Sequence, residues 1–303
     1  MNFEFYNIIS KNYLPPAAEW WSFMPGILYL VGTPIGNLGD MSKRTAEILG
    51  STDFIVAEDT RVSIKLLNHL GIKKHMISYF EHNKRERGEE IAARIEAGEN
   101  CALVTDAGMP AISDPGEDIV ALCAQRGIEV SVIPGPCAAI CALAVSGLPS
   151  GRFCFEGFLS INKKSRREHL NAIVGEERTL IFYEAPHKLK ATLSDLFAAF
   201  GDRRVALVRE LTKLHEEVIR TTLSQAVNLY DENAPRGEFV LVIEGKEPTA
   251  PKELMSAEEV IELAQSFVIG FINEGMSHSE AVKRAALQVG ANRSELYKRT
   301  LNN

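Results

Sequence analysis

Short apolar runs alternate with helix-like stretches along the first half of this chain. The runs are bounded by turn residues and lie at 27–31, 53–57, 101–104 and 128–133. The stretches between them are predicted helices, at 41–50, 60–70, 84–97, 116–126 and 136–146. Such alternation predicts an α/β fold, in which a mostly parallel sheet is covered by helices on both faces.

The second half of the chain has a different pattern. Strands are predicted at 153–158, 179–183, 204–209, 215–221 and 238–244, and helices at 163–174, 187–200 and 222–230. The runs 204–209 and 215–221 are so close in sequence that they are expected to pair antiparallel, which gives a mixed sheet.

The length of 303 residues exceeds one ordinary core, so we expect two domains and an appendage. Residues 246–252 have a linker composition, and the helical pattern that follows opens with a capping box of Ser256 and Glu259. The predicted division is an extension without a fixed fold at 1–26, an α/β cofactor and substrate domain at 27–147, an α/β domain with a mixed sheet at 148–247, and a small helical tail at 253–303.

Turns rich in Gly and Pro follow three of the predicted strands of the first half. They lie at 31–40, 105–110 and 134–138. Open α/β sheets bind ligands at the carboxyl ends of their strands, so three such turns predict one cleft. Their glycines are expected to let the backbone approach a ligand closely. The spacing of Gly32 and Gly36 excludes a dinucleotide fingerprint, and no Gly-Lys-Ser/Thr follows to make a Walker loop.

These turns and several further motifs resemble the tetrapyrrole-methylase-fold (class III) methyltransferases, and most closely the branch that acts on ribosomal RNA. The motifs are Val31 to Asp40, Ala57-Glu58-Asp59-Thr60-Arg61, Thr105 to Gly116, Pro134-Gly135-Pro136, Phe182-Tyr183-Glu184-Ala185-Pro186-His187 and Arg209-Glu210-Leu211-Thr212-Lys213. The resemblance implies two α/β domains with a cleft between them, S-adenosyl-L-methionine as cofactor, and a homodimer. It also implies 2′-O-ribose methylation of a decoding-site cytidine of 16S rRNA in the small ribosomal subunit.

The cofactor-binding residues are expected in these turns. Exposed backbone groups can bind the polar ends of a methyl donor, and Ile35, Met109 and Ile112 can line its apolar parts. The whole predicted set is Pro34, Ile35, Gly36, Asp106, Ala107, Gly108, Met109, Ile112, Pro136, Ala138 and Tyr183.

The catalytic residues are expected in polar clusters at strand ends, because a ribose 2′-OH must lose its proton to a base as it accepts the methyl group. The candidates are Lys213, Glu184 and Asp59, with Arg61 holding phosphate or orienting Asp59. Lys213 is the first choice, kept partly neutral by burial near Arg209 or the sulfonium of the cofactor. Glu184 or Asp59 would orient it. A carboxylate base beside a charged Lys213 is the alternative. Structural explanations also exist: Asp59 can cap a helix, and Lys213 can form a surface ion pair with Glu210.

Composition and charge limit the class of partner. A net charge of −7 counts against a general nucleic-acid binder. The basic segments at 84–87 and 163–167 are candidates for a local nucleic-acid-binding patch, and the simpler alternative is that they are solvated starts of helices. No run approaches the ~20 apolar residues of a membrane span. Five cysteines without a C-x-x-C pair, and seven histidines without metal-ligand spacing, predict a cytoplasmic protein with reduced thiols and no metal.

Two other functions remain open at this stage. One is a methylase of porphyrin or corrin precursors on the same fold, whose cleft should be more apolar and more basic. The other is a non-catalytic binding module. The tail is interpreted as a packed or tethered helical segment, with a helix-turn-helix as the alternative. That alternative would contact RNA through Lys283, Arg284, Arg293, Lys298 and Arg299.

Overall fold

The computed structural model describes residues 25–114, 116–247 and 257–301. The chain divides into two compact units, at 1–246 and 247–303. The predicted extension, apart from its last two residues, and the Ser256 cap lie outside the described residues, so those expectations stay predictions. No helix within these ranges is long and apolar enough to cross a membrane.

The first sheet of the larger unit is parallel throughout, with the strand order β3-β2-β4-β1-β5. Alternate residues of its strands face two separate cores: Phe54 and Val56 pack on one side, Ile55 and Ala57 on the other. Burial on both faces explains why the strands Phe54–Ala57 and Cys101–Val104 are continuously apolar. The strands are β1 Ile27–Val31, β2 Phe54–Ala57, β3 His75–Ser78, β4 Cys101–Val104 and β5 Glu129–Ile133, and the helices are α1 Lys43–Ser51, α2 Thr60–His69, α3 Lys84–Glu96, α4 Gly116–Gln125 and α5 Ala138–Ser146.

The second sheet is mixed, with the order β6-β7-β10-β8-β9. Strands β6 and β7 are parallel, whereas β10 runs antiparallel to both β7 and β8, and β8 and β9 form the predicted antiparallel pair. The strands are β6 Phe153–Phe158, β7 Thr179–Glu184, β8 Arg204–Arg209, β9 Glu217–Thr222 and β10 Phe239–Ile243, and the helices are α6 Lys163–Ile173, α7 Leu189–Phe200 and α8 Leu223–Glu232.

Every strand and helix predicted above is present within two residues at each end, and the α/β class is confirmed. Strand β3 was not predicted. Only Ile77 of that strand is buried, so it lacks the apolar run by which the other strands are recognised. It lies at the edge of the sheet and depends on pairing with β2.

Helix α5 connects the two sheets. It follows β5 of the first sheet, yet its buried residues Ala139, Ala142 and Leu143 pack on the second sheet. Arg220 of β9 donates from Nε to the carbonyl of Ser146, 3.1 Å away, at the carboxyl end of this helix. The two sheets are therefore held side by side, with strand ends of both facing the space between them.

The smaller unit consists, in its described part, of three helices around a core of its own. They are α9 Ala257–Asn273, α10 His278–Val289 and α11 Arg293–Leu301. Val268, Val282 and Leu296 are among its fully buried side chains. Arg284 lies over the ring of Phe271. Arg299 pairs with glutamates of the same unit. Two of the five cations considered for RNA contact thus have partners within the tail.

Candidate active site

The three Gly/Pro-rich turns come together because β4, β1 and β5 are neighbours in the first sheet. The turn after β1 pairs with the turn after β4: Thr33 N donates to the Gly108 carbonyl at 2.9 Å, and Gly108 N donates to the Thr33 carbonyl at 3.1 Å. Residues of all three turns line one cavity, as predicted.

Two glycines of these turns, Gly32 and Gly135, pack against each other. A Cβ atom on Gly32 would lie 2.6 Å from Gly135 Cα, and one on Gly135 would lie 2.8 Å from Gly32 Cα. The first and third turns therefore touch backbone to backbone, which only glycine allows. Glycine at this pair is explained by the contact between the turns, and close approach of these turns to a ligand stays a prediction.

The cavity has a volume of about 390 Å³ and lies between the two sheets. This volume is within the ~300–1,000 Å³ of typical small-molecule sites. Its walls come from the first-sheet turns on one side and from the ends of β6, β7, β8 and β10 on the other. The lining residues are Ile35, Glu58, Thr105, Asp106, Ala107, Gly108, Met109, Ile112, Ser113, Asp114, Cys137, Ala138, Phe158, Tyr183, Glu184, Ala185, Val208, Glu210, Leu211, Lys213, Glu238, Phe239 and Val240.

Most of the predicted site residues line this cavity. They are Ile35, Asp106, Ala107, Gly108, Met109, Ile112, Ala138, Tyr183, Glu184 and Lys213. The predicted residues that are not among the lining residues are Pro34, Gly36, Pro136, Asp59 and Arg61. Which of them bind the cofactor stays a prediction.

Lys213 is held by two carboxylates. Its Nζ donates to Glu210 Oε1 at 2.9 Å and to Glu238 Oε2 at 2.8 Å. Burial lowers the pKa of Lys213, but the hydrogen bonds and charges of Glu238 and Glu210 outweigh it and raise that pKa above its ordinary value. The expectation of a partly neutral amine is therefore wrong: Lys213 is an ammonium at neutral pH, in the ion pair that the structural explanation anticipated.

Asp59 and Arg61 form a local pair beside the cavity. The Asp59 carboxylate caps α2 by accepting from Arg61 N at 2.8 Å, and it also accepts from Arg61 Nε at 3.0 Å. These hydrogen bonds lower the pKa of Asp59 to about 2. The cap interpretation is confirmed, and Asp59 is held too acidic to be an effective base at neutral pH.

Glu184 ends β7 inside a buried hydrogen-bond network. It is 3% exposed. One carboxylate oxygen accepts from Ala185 N at 2.8 Å, and the other accepts from the Thr192 hydroxyl. Arg166 Nη2 donates to the same hydroxyl at 2.8 Å, and Arg166 Nε donates to Asp195 at 2.5 Å. Glu184 thus joins the cavity wall to α7 and, through Thr192, to α6.

Three carboxylates of the first-sheet turns form a cluster that the predicted set included only in part. Glu58 Oε2 accepts from the Thr105 hydroxyl at 3.1 Å, and Asp106 Oδ1 accepts from Asp59 N at 3.2 Å. Burial raises the pKa of Glu58 and of Asp106. Burial, and then the charge of Glu58, raise the pKa of Asp114 to about 6. The position of Asp114 in the turn before α4 was the available signal for it.

Backbone strain is concentrated in two segments of the cavity wall. Ala111 and Ser113 have φ values of 64° and 70°, and Glu210 and Thr212 have φ values of 51° and 65°. Left-handed φ costs about 1–3 kcal/mol at such residues and persists where the surroundings hold it. The Glu210 carboxylate accepts from Glu238 N at 2.9 Å, which fixes the second segment. Strain of this kind clusters at functional sites.

The cavity is strongly acidic. Among the described residues that line it, the acidic side chains are Glu58, Asp106, Asp114, Glu184, Glu210 and Glu238, and Lys213 is the one basic side chain. Among the residues that the structure describes, no three or more His, Cys, Asp or Glu side chains are placed so that they could hold a metal ion together. The acidic lining therefore suits a ligand that carries positive charge.

Comparisons with known proteins identify the family of this chain. Two curated relatives are named ribosomal RNA small subunit methyltransferase I. The one from Synechocystis is 47% identical and covers 91% of this chain and 98% of its own length; the one from Bacillus subtilis is 44% identical, with 90% and 93% covered. The crystal structure of uroporphyrin-III-C-methyltransferase from Thermus thermophilus shares the fold, with a TM-score of 0.52, 19% identity, and coverage of 72% of this chain and 94% of that one. The family model of tetrapyrrole (corrin/porphyrin) methylases matches residues 27–227, and the chain belongs to this family.

Proposed function

We propose that this chain transfers a methyl group from S-adenosyl-L-methionine to the 16S rRNA of the small ribosomal subunit, at the ribose 2′-oxygen of a decoding-site cytidine. The observation that carries this proposal is the identity of 47% and 44% to two small-subunit rRNA methyltransferases along nearly their whole length. The choice of the 2′-oxygen and of the decoding-site cytidine rests on the motifs that the chain shares with the rRNA branch.

The cavity suits the proposed cofactor. S-adenosylmethionine supplies a methyl group on a positively charged sulfonium and also carries an ammonium, so carboxylates such as Glu58, Asp106 and Asp114 complement its charge. Ile35 and Met109 provide apolar wall for the rest of the molecule. A methyl group on sulfonium is already activated, so the protein's task is to hold the acceptor in line with it.

Separate side chains stabilise the developing charge and accept the proton. Lys213, fixed as an ammonium between Glu210 and Glu238, places a positive charge where the ribose oxygen becomes negative. Asp114 lines the same cavity, and its pKa of about 6 suits a general base at neutral pH. Glu184 keeps both oxygens in hydrogen bonds and acts as a positioning residue for the end of β7. This assignment takes the carboxylate alternative over a lysine base.

The proposal includes a cytoplasmic homodimer. The dimer rests on the resemblance to class III enzymes and on apolar side chains that stay exposed on β5 and α5, where Val132 is 51% and Ile140 is 48% exposed. Light scattering at micromolar concentration should give about twice the 33.5 kDa of one chain. A monomeric mass in an active preparation would refute this part.

Methyl transfer from labelled S-adenosylmethionine tests the function. Small subunits from cells that lack the enzyme should accept label at the ribose of one cytidine, while uroporphyrinogen should accept none. The acidic cavity favours this outcome, because carboxylate-bearing rings would be repelled by it. Label on the tetrapyrrole would establish the ring-methylase alternative, and cofactor binding without transfer to either acceptor would establish a binding module.

A further inference from the structure

The acidic cavity raises the question of where an RNA strand is held. Its backbone carries one negative charge per nucleotide, and six carboxylates line the space in which the ribose must meet the cofactor. The phosphates must therefore find cations outside the cavity, close enough that the ribose still reaches its interior.

An exposed aromatic side chain stands at the mouth of the cavity. Phe158 ends β6, lines the cavity and is 56% exposed. Its ring packs edge-on against Tyr183, with 5.5 Å between ring centroids, and Tyr183 packs in the same way on Phe155 at 5.0 Å. The Tyr183 hydroxyl accepts from Ala139 N at 3.1 Å. The inner rings fix the orientation of Phe158 and leave much of its own ring uncovered.

Exposed cations follow directly in the chain. Lys163, Lys164 and Arg167 lie in the first turns of α6 and are exposed. Lys163 and Arg167 form no ion pair with any residue the structure describes, and Lys164 meets Glu168 only at 3.9 Å with both side chains exposed. Lys163 is the fifth residue after Phe158, so their Cα atoms lie within ~18 Å of each other.

The basic end of α6 is fixed relative to the cavity. Arg166, between these cations, points inward: it is 12% exposed and hydrogen bonds to Asp195 and Thr192. Thr192 in turn donates to Glu184, which lines the cavity. A buried network thus connects the helix that carries the cations with the wall of the site, so both parts keep one geometry.

We propose that Phe158 stacks on a base of the RNA strand presented to the cavity, and that Lys163, Lys164 and Arg167 bind the phosphates of that strand. Single-stranded RNA is commonly held by stacking of unstacked bases on aromatic rings, beside a positively charged surface that follows the backbone. The inference rests on the proposed function, and it identifies the surface by which this chain, despite its net charge of −7, holds a polyanion.

Substitution of Phe158 separates stacking from apolar bulk. Phe158→Ala and Phe158→Leu should both lower kcat/KM for small subunits by about 5- to 150-fold, mainly by raising KM. Loss of the stacking free energy of one base on an aromatic ring corresponds to a fold-change of this size. Phe158→Trp should retain activity, and Phe197→Ala, on another exposed phenylalanine, should behave as wild type. Full activity of Phe158→Leu, or a parallel loss of S-adenosylmethionine affinity by calorimetry, would overturn the stacking role.

Salt dependence tests the cations. Binding of a fluorescein-labelled hairpin with the decoding-site sequence is followed by anisotropy at several salt concentrations. Lys163→Ala/Lys164→Ala should weaken binding and reduce the slope of log K against log salt by ~0.7 for each phosphate that the protein no longer neutralises. The control Lys73→Ala/Lys74→Ala, before β3, should leave the slope unchanged. Equal slopes in both double variants would refute the phosphate site.

The two readouts also distinguish this inference from the proposed function. If wild type binds the hairpin through Phe158 and the α6 cations but transfers no methyl group, the proposed reaction fails and the RNA surface stands. If wild type methylates subunits and none of these variants differs from it, the reaction stands and the RNA surface lies elsewhere.

Discussion

The contact between Gly32 and Gly135 provides the sharpest test of how the cavity is built. Gly32→Ala would place a Cβ atom 2.6 Å from Gly135 Cα and 2.8 Å from Met109 Sδ. Carbon atoms rest at about 3.5–4.0 Å from each other, so the first and third turns must separate by about 1 Å. Backbone atoms form the main obstacle, and they cannot rotate away as a flexible side chain could.

The expected effect on the enzyme follows from this displacement. Overpacking of this kind costs about 1–3 kcal/mol of unfolding free energy. A misplacement of ~1 Å at a site that works by alignment costs about 10²-fold in rate. Gly32→Ala should therefore lower the Tm by ~2–4 °C for each kcal/mol, weaken S-adenosylmethionine binding, and reduce turnover on small subunits by about 10².

A matched glycine provides the control. Gly50 lies in α1, and a Cβ atom there would meet one side-chain atom of Ile72 at 3.9 Å. Gly50→Ala should gain about 0.5–1 kcal/mol and leave cofactor binding unchanged. Calorimetry gives the affinities and labelled methyl transfer gives the turnover. If Gly32→Ala matches Gly50→Ala in affinity and turnover within about threefold, the contact between the turns does not shape the site.

Three further predictions concern charge and hydrogen bonding. Lys213→Ala should lower turnover by about 10² or more with cofactor affinity retained. Because the pKa of Lys213 is raised above its ordinary value, wild-type turnover should show no rise through a lysine pKa lowered toward neutral pH. A rise of that kind that disappears in the variant would restore the neutral-lysine base. The pKa of Asp114 is about 6 in the folded protein, compared with an ordinary value of 3.8. Between about pH 4 and 6, the Asp114 carboxyl is therefore protonated in the folded state and ionised in the unfolded state. The free energy of unfolding of the wild type should therefore fall as the pH rises from about 4 to 6. The difference between the Tm of Asp114→Asn and that of the wild type should become more positive from about pH 4 to 7. A difference that stays constant over this range contradicts the raised pKa of Asp114. Thr192→Val should cost about 1–3 kcal/mol in urea unfolding because it leaves the buried Glu184 carboxylate short of a donor, whereas the exposed control Ser194→Ala should stay within ~0.5 kcal/mol; equal effects would mean that the network contributes little.

The positions of the strands and helices could be predicted from the sequence because they depend on local patterns. Side-chain alternation every two residues and recurrence about every 3.6 residues are properties of a short segment, and burial on both faces makes the strands of a parallel sheet plainly apolar. The three turns could likewise be assigned to one cleft, since each follows a strand and the carboxyl ends of parallel strands share an edge. Strand β3 was not predicted because an edge strand with one buried side chain shows little of this apolar pattern.

The chemistry of the cavity was decided by residues that are distant in sequence. The pKa of Lys213 is raised partly because Glu238, 25 residues away, adds its carboxylate to the pair. Gly32 is required because Gly135 touches it from another turn. Phe158 ends an ordinary strand, and it lies in the cavity wall only because β6 ends beside that cavity. A local pattern determines which element a segment forms, whereas a pKa, a steric limit or a place in a cavity wall depends on the neighbours that the fold supplies. Those neighbours exist only once both sheets are assembled.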